Sequence, residues 1–129
     1  MRITQISVFI GNVPGRLESL CKSLAEAGVN LETITITETA DHGIVRMIVS
    51  DVDKAVAALS AGGFTPKKVD VLAVEVDDAP GSLWRLLQKM RESGVNVEYM
   101  YAMTKPKSSR PIMIMSFKDI AAAEALLEK

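Results

Sequence analysis

Apolar residues alternate with other residues at Ile6, Val8 and Ile10, the two-residue period of a strand with one buried face. The period then changes. Leu17, Leu20, Cys21 and Leu24 follow i, i+3, i+4, i+7, which is one stripe of a helix. Between the two patterns lies the hexamer NVPGRL, residues 12–17, with Pro14 expected in the first helical turn, where its missing N–H costs nothing. Gly28 is expected to end the helix, because glycine accepts the left-handed conformation of a C-terminal cap. A second strand is read over residues 29–37, with a phase slip: Val29 and Leu31 are odd-numbered, Ile34 and Ile36 even. A bulge or two covered faces would produce that slip. The ADHG stretch, residues 40–43, signals a turn, and residues 44–50 a third strand. Asp51 is expected to cap a second helix with Val52, Val56 and Leu59 inside, ended by Gly62 and Gly63.

The same order is then written again. Pro14 and Gly15 are matched 66 positions later by Pro80 and Gly81, and GVNLE at 28–32 by GVNVE at 94–98. The offset also carries Ile6, Val8 and Ile10 onto Leu72, Val74 and Val76, and the helix stripe onto Leu83, Leu86, Leu87 and Met90. An internal duplication fixes the architecture before any single element is argued. The second copy reads as strand 71–76, helix 80–93, strand 95–103, strand 112–117 and helix 119–129. Each copy is β-α-β-β-α, with helices covering one face of an antiparallel sheet, an α+β arrangement.

No fourth strand is expected after the second copy's last helix, because the pattern is still helical at Lys129. In the first copy only residues 64–69 are available, and Pro66 excludes a central strand position there. If the two copies joined edge to edge through their second strands, the crossing would span about 29 Å. Residues 64–70, FTPKKVD, are then either a crossing linker or a short edge strand running directly into strand 71–76; the second is preferred.

A helix start presents unpaired N–H groups and the positive end of the helix dipole, and a glycine there lets a guest come close. The Pro-Gly loops therefore offer a physical route to holding a small carboxylate, besides being good strand-to-helix turns. With N/D-x-P-G-x-L after a strand, a helix, and G-V-N-[LV]-E in both halves, the chain resembles the ACT domain family. The resemblance implies two ferredoxin-like βαββαβ units in tandem, residues 1–69 and 70–129, the second lacking its last strand. It further implies small-ligand sensing, most often of amino acids, at domain interfaces. Carried over by position, the site residues are Asn12, Val13, Pro14, Gly15, Arg16 and Leu17 in the first loop. In the second they are Asp78, Ala79, Pro80, Gly81, Ser82 and Leu83, with Asn30 and Asn96 from the second strands. Asn12 donates to a carboxylate and accepts from an ammonium, whereas an ionised Asp78 only accepts. Arg16 can pair with an acid and its counterpart Ser82 cannot, so the loops are chemically unequal.

Charge and composition remove other classes. The formal net charge of −1 gives no electrostatic case for nucleic acid or an acidic membrane. Strand one has only Phe9 as an aromatic and IVRMIVS has none, against the stacking platform of an RNA-recognition sheet. No apolar run approaches the ~20 residues of a membrane span. The single cysteine excludes an internal disulfide and points to a reducing, cytoplasmic setting. Cys21 takes the helix position of Leu87, as a core residue would, and His42, in a turn, is alone. No catalytic set, metal cluster, phosphate loop or cofactor motif is present, so no enzyme, metal or cofactor is expected. Trp84 lies off the main helix stripe, Tyr99 and Tyr101 share one strand face, and KPKSSRP at 105–111 reads as a solvated hairpin tip. Each half is small for its own core, which leads to an expected homodimer, with a metabolic enzyme or regulator as a further partner. The alternative is a protein-interaction scaffold with no small-molecule ligand.

Overall fold

The computed structural model describes residues 1–39, 41–103 and 110–128. The elements in order are β1 (Arg2–Gly11), α1 (Arg16–Glu26), β2 (Leu31–Glu38), β3 (His42–Val49), α2 (Val52–Ala61), β4 (Pro66–Glu75), α3 (Ser82–Glu92), β5 (Val97–Met103), β6 (Ile112–Phe117) and α4 (Ile120–Leu127). The described residues form an α+β fold, with antiparallel strand pairs and four helices. It divides into two bodies, Thr4–Val69 and Met1–Ile3 with Asp70–Lys129.

In the first body the strands run in the order β2-β3-β1. Ile6, Val8 and Ile10 point to one side, where Val45 and Met47 lie opposite Val8 and Ile6. Leu20 and Leu24 of α1 and Ala55 and Leu59 of α2 close this core, so both helices cover the same face. Cys21, Val52 and Val56 pack half-buried at its rim, as the helical stripes require. Leu17 departs from its expected place: in the first turn of α1 it is 39% exposed.

The second body repeats the plan as β4-β6-β5, with Leu72, Met90, Met115, Phe117 and Ala123 at its centre. Residues 1–3 join this body: Met1 exchanges two backbone hydrogen bonds with Ala73, at 2.8 and 3.0 Å. Arg2 adds ion pairs to Asp70 (3.5 Å) and Glu124. The hydrogen bond from Arg2 holds the Glu124 carboxyl below the usual carboxylate range, and in return raises the guanidinium.

The phase slip in the second strand is a bulge. The register of β2 on β3 shifts between Leu31 and Thr33, and that of β5 on β6 shifts between Val97 and Tyr99, the same place in each copy. Residues 64–70 are not a crossing linker, since β4 runs unbroken from Pro66, which as first strand residue forgoes no interior ladder bond. Lys68 pairs with Asp53 of α2 at 2.9 Å. Two helix starts fall later than expected: α1 begins at Arg16 and α3 at Ser82, leaving both prolines outside the helical turn. The last helix ends at Leu127, and the tip residues 104–109 lie outside the described residues, as do Ala40 and Lys129.

Beyond the GVN segments the copies are 68 residues apart, not 66. Ile6 and Leu72 face Met47 and Met115, and the caps Asp51 and Asp119 keep the same spacing. The two additional residues of the second copy fall between β5 and β6.

Candidate functional site

Residues 13–16 and 79–82 form the same turn. Gly15 has φ 91°, ψ −16° and Gly81 φ 84°, ψ −4°, the third-residue geometry of a type II turn, with proline before it. The closing bonds run from Arg16 N–H to Val13 O at 3.4 Å and from Ser82 N–H to Ala79 O at 3.2 Å. Each glycine is also the helix N-cap: its carbonyl accepts the first helical bond, from Ser19 and Arg85, both at 2.9 Å. Glycine is demanded here by the positive φ, which a side chain would strain.

The consequence lies in the amides. A side chain normally satisfies one of the first helical N–H groups. Asp51 does so for α2, accepting from Lys54 N–H at 3.1 Å, and Asp119 for α4, accepting from Ala122 N–H at 3.1 Å. Glycine caps have no such oxygen, and neither α1 nor α3 has a side-chain cap. The amides of Leu17, Glu18, Leu83 and Trp84 thus have no acceptor among the described residues. The positive helix ends remain open at the two Pro-Gly turns and closed at the two aspartates.

The structure gathers the loop residues and separates the asparagines from them. Asn12, Val13, Pro14 and Gly15 are exposed at the head of α1, and Asp78, Ala79, Pro80 and Gly81 at the head of α3; Ser82 and Leu83 are half-buried. Asn30 and Asn96 follow the other ends of those helices, each 11 residues or about 16 Å long. Asn30 is tied by its backbone to Ser50, and Asn96 lines a cleft of about 370 Å³ with Arg91 and Gly94. The second loop borders its own cavity of about 160 Å³, lined by Glu75, Asp77, Ser82, Arg85 and Arg110 among others.

Side chains around the loops differ in charge. Asn12 Nδ2 donates to Glu38 at 3.2 Å, and its backbone N–H to Asp41 O at 3.0 Å. Arg16 lies over the Phe64 ring, 4.4 Å from its centre, so its flat face is engaged by a cation–π contact. In the second loop Arg110 bridges Asp77 (2.6 Å) and Glu75 (3.3 Å), while Arg85 Nη2 reaches Ser82 Oγ at 3.5 Å. Sequence reasoning missed Phe64, Arg85 and Arg110. The Arg85 signal was present, since it stands one helical turn after Gly81 on the same side as the cap. His42 is exposed, and no group of three or more metal-ligating side chains exists among the described residues. Among the described residues, no helix is long and apolar enough to cross a membrane.

The profile of the ACT domain pair family matches residues 1–127. Among solved structures, the protein BT0572 of Bacteroides thetaiotaomicron is 33% identical, with a TM-score of 0.92 over 99% of this chain and 88% of its own. The ligand-free regulatory subunit of aspartate kinase from Thermus thermophilus matches at TM-score 0.69 and 19% identity, over 97% of this chain and 88% of its own. E. coli aspartokinase III, solved in complex with lysine and aspartate, matches at 0.53 and 13%, over 99% of this chain but 30% of the enzyme. The last two establish likeness of fold alone. No curated protein matches the sequence. With the profile spanning nearly all of it and the duplicated Pro-Gly turns in register, the chain belongs to the ACT domain pair family.

Proposed function

We propose that the chain is a non-catalytic regulatory module, with residues 1–69 and 70–129 as its two ACT-type units, that binds an amino acid through the two Pro-Gly turns. The supporting observation is selective capping: the helices at Asp51 and Asp119 satisfy their own first turns, and those at Gly15 and Gly81 do not. Uncapped amides and the dipole at a helix start favour a carboxylate. Structures of similar fold include one in complex with lysine and aspartate, which is in keeping with a ligand of that class. The module acts as a homodimer in the cytoplasm and reports to a metabolic enzyme or regulator.

Thermal unfolding with each L-amino acid tests this. A ligand that binds only the native state at ~100 times its Kd stabilises by about 2.7 kcal/mol. A rise in Tm with one amino acid is expected; no rise with any of them removes the sensing function. One observation favours a scaffold without ligand: Phe9, Val13 and Ile36 of the first body are all largely exposed, more apolar surface than a self-contained body needs. That alternative predicts no shift with any amino acid.

A further inference from the structure

We infer that the free edge of β2 in the first body docks onto the same edge of a second copy of this chain, the two strands pairing antiparallel about Thr35. The inference rests on the homodimer of the proposed reading and names its contact. β2 is the outermost strand of its body, so one of its sides carries no ladder. An edge strand of eight residues with outward backbone groups is a template for a further strand.

The hairpin sets the phase of those groups. Thr39 N–H donates to His42 O at 2.8 Å, and Thr37, Thr35 and Thr33 follow in the same register opposite Ile44, Arg46 and Ile48. Hydrogen-bonded and non-bonded pairs alternate along an antiparallel ladder. The threonines therefore spend their backbone groups on β3, and Ile34 and Ile36 turn theirs outward. Residues 32–38 read ETITITE, the same in both directions, with Thr35 at the centre. Two copies related by a two-fold axis at Thr35 set Ile34 of one opposite Ile36 of the other. Both present outward N–H and C=O groups, so the centre of the sequence and the hydrogen-bonding phase agree.

The side chains favour the same pairing. Ile34 and Ile36 lie opposite Met47 and Val45, on the face that the helices cover. Met47 and Val45 are fully buried, yet Ile34 is 38% and Ile36 46% exposed. The apolar row thus runs on to the edge and stops in solvent, and the pairing continues it with the same two isoleucines of the second copy. Glu32 and Glu38 meet at the exposed ends, where like charges oppose, so the contact rests on its centre. The second body has no such edge. The equivalent residues 98–104 read EYMYAMT, which differs when reversed, and the exposed positions of β5 are Glu98 and Ala102, neither a large apolar residue.

The test uses the full chain carrying Cys21→Ala, which removes its one native thiol. Cα atoms of a non-bonded antiparallel pair lie about 4.5 Å apart, within the span that a disulfide bridges. Thr35→Cys, on the axis, should therefore give a disulfide-linked dimer under mild oxidation, and Tyr101→Cys, its counterpart on β5, should give none. Ile36→Glu should raise the dimer dissociation constant about tenfold or more in sedimentation equilibrium, because it adds a like charge to the centre of the contact. A dimer that Thr35→Cys does not link, that Tyr101→Cys links equally, or that Ile36→Glu leaves as tight overturns the inference and leaves the homodimer standing. A monomer at all concentrations overturns both.

Discussion

The turns at Gly15 and Gly81 agree in backbone to within about a dozen degrees and disagree in almost every charge around them. At the first, the nearby guanidinium is engaged by Phe64 and the asparagine by Glu38. At the second, two guanidiniums and two carboxylates, Arg85, Arg110, Glu75 and Asp77, border a surface cavity. Backbone geometry there follows from Pro and Gly, which the duplication kept. The side chains around the turns stand in solvent, where no packing requirement restrains them, and these have diverged.

The comparison can be broken at several depths. The largest effect is expected in the cores. Leu20→Ala should cost about 2–5 kcal/mol in urea unfolding, because Leu20 is fully buried. Its counterpart Leu86 is only half-buried, so Leu86→Ala should cost clearly less; equal losses would mean that the second core is as closed as the first. Next come the turn glycines. Gly15→Ala should cost about 1–2 kcal/mol through the left-handed backbone alone, since a Cβ there meets nothing within 4 Å. Gly81→Ala should show a similar loss of stability and additionally displace Arg85, whose Nη1 lies 2.9 Å from the position a Cβ would take.

The aspartate caps form the control. Asp51→Ala and Asp119→Ala should each cost about 1 kcal/mol and leave ligand binding untouched, as read by thermal unfolding with and without amino acid. The smallest effect concerns Glu124. Its folded-state carboxyl titrates below the ordinary range because Arg2 donates to it. The pair therefore contributes above the unfolded pKa, and the contribution is lost as the pH falls through the lower folded value. Glu124→Gln should lower stability slightly near neutrality and remove that part of the acid sensitivity; an unchanged pH profile would show that residues 1–3 are not held to α4 by this pair.

Much of this was legible because the signals are local. The i, i+3, i+4 stripes placed α1 and α3, and the slip between Leu31 and Ile34 located a bulge that recurs at Val97 and Tyr99. Gly28 and Gly94 end their helices at φ 72° and 70°, where the following valines return bonds to Leu24 and Met90, as the capping motif requires. Pro14 misled by one turn, because proline serves equally in a type II turn and at a helix start. The association of Met1–Ile3 with residues 70–129 was illegible, since no local pattern reports which distant strand a segment will pair with. The change of offset from 66 to 68 was visible in Asp51 and Asp119, two caps with the same role, had the repeat been followed past Glu98.

The most direct measurement is a ¹H–¹⁵N titration of the full chain with the amino acid that raises Tm most. The uncapped amides of Leu17, Glu18, Leu83 and Trp84 at the Pro-Gly turns are predicted to shift furthest, with those of Lys54 and Ala122, at the aspartate-capped helices, unmoved. Shifts confined to the aspartate-capped starts, or spread evenly over all four, would contradict the account.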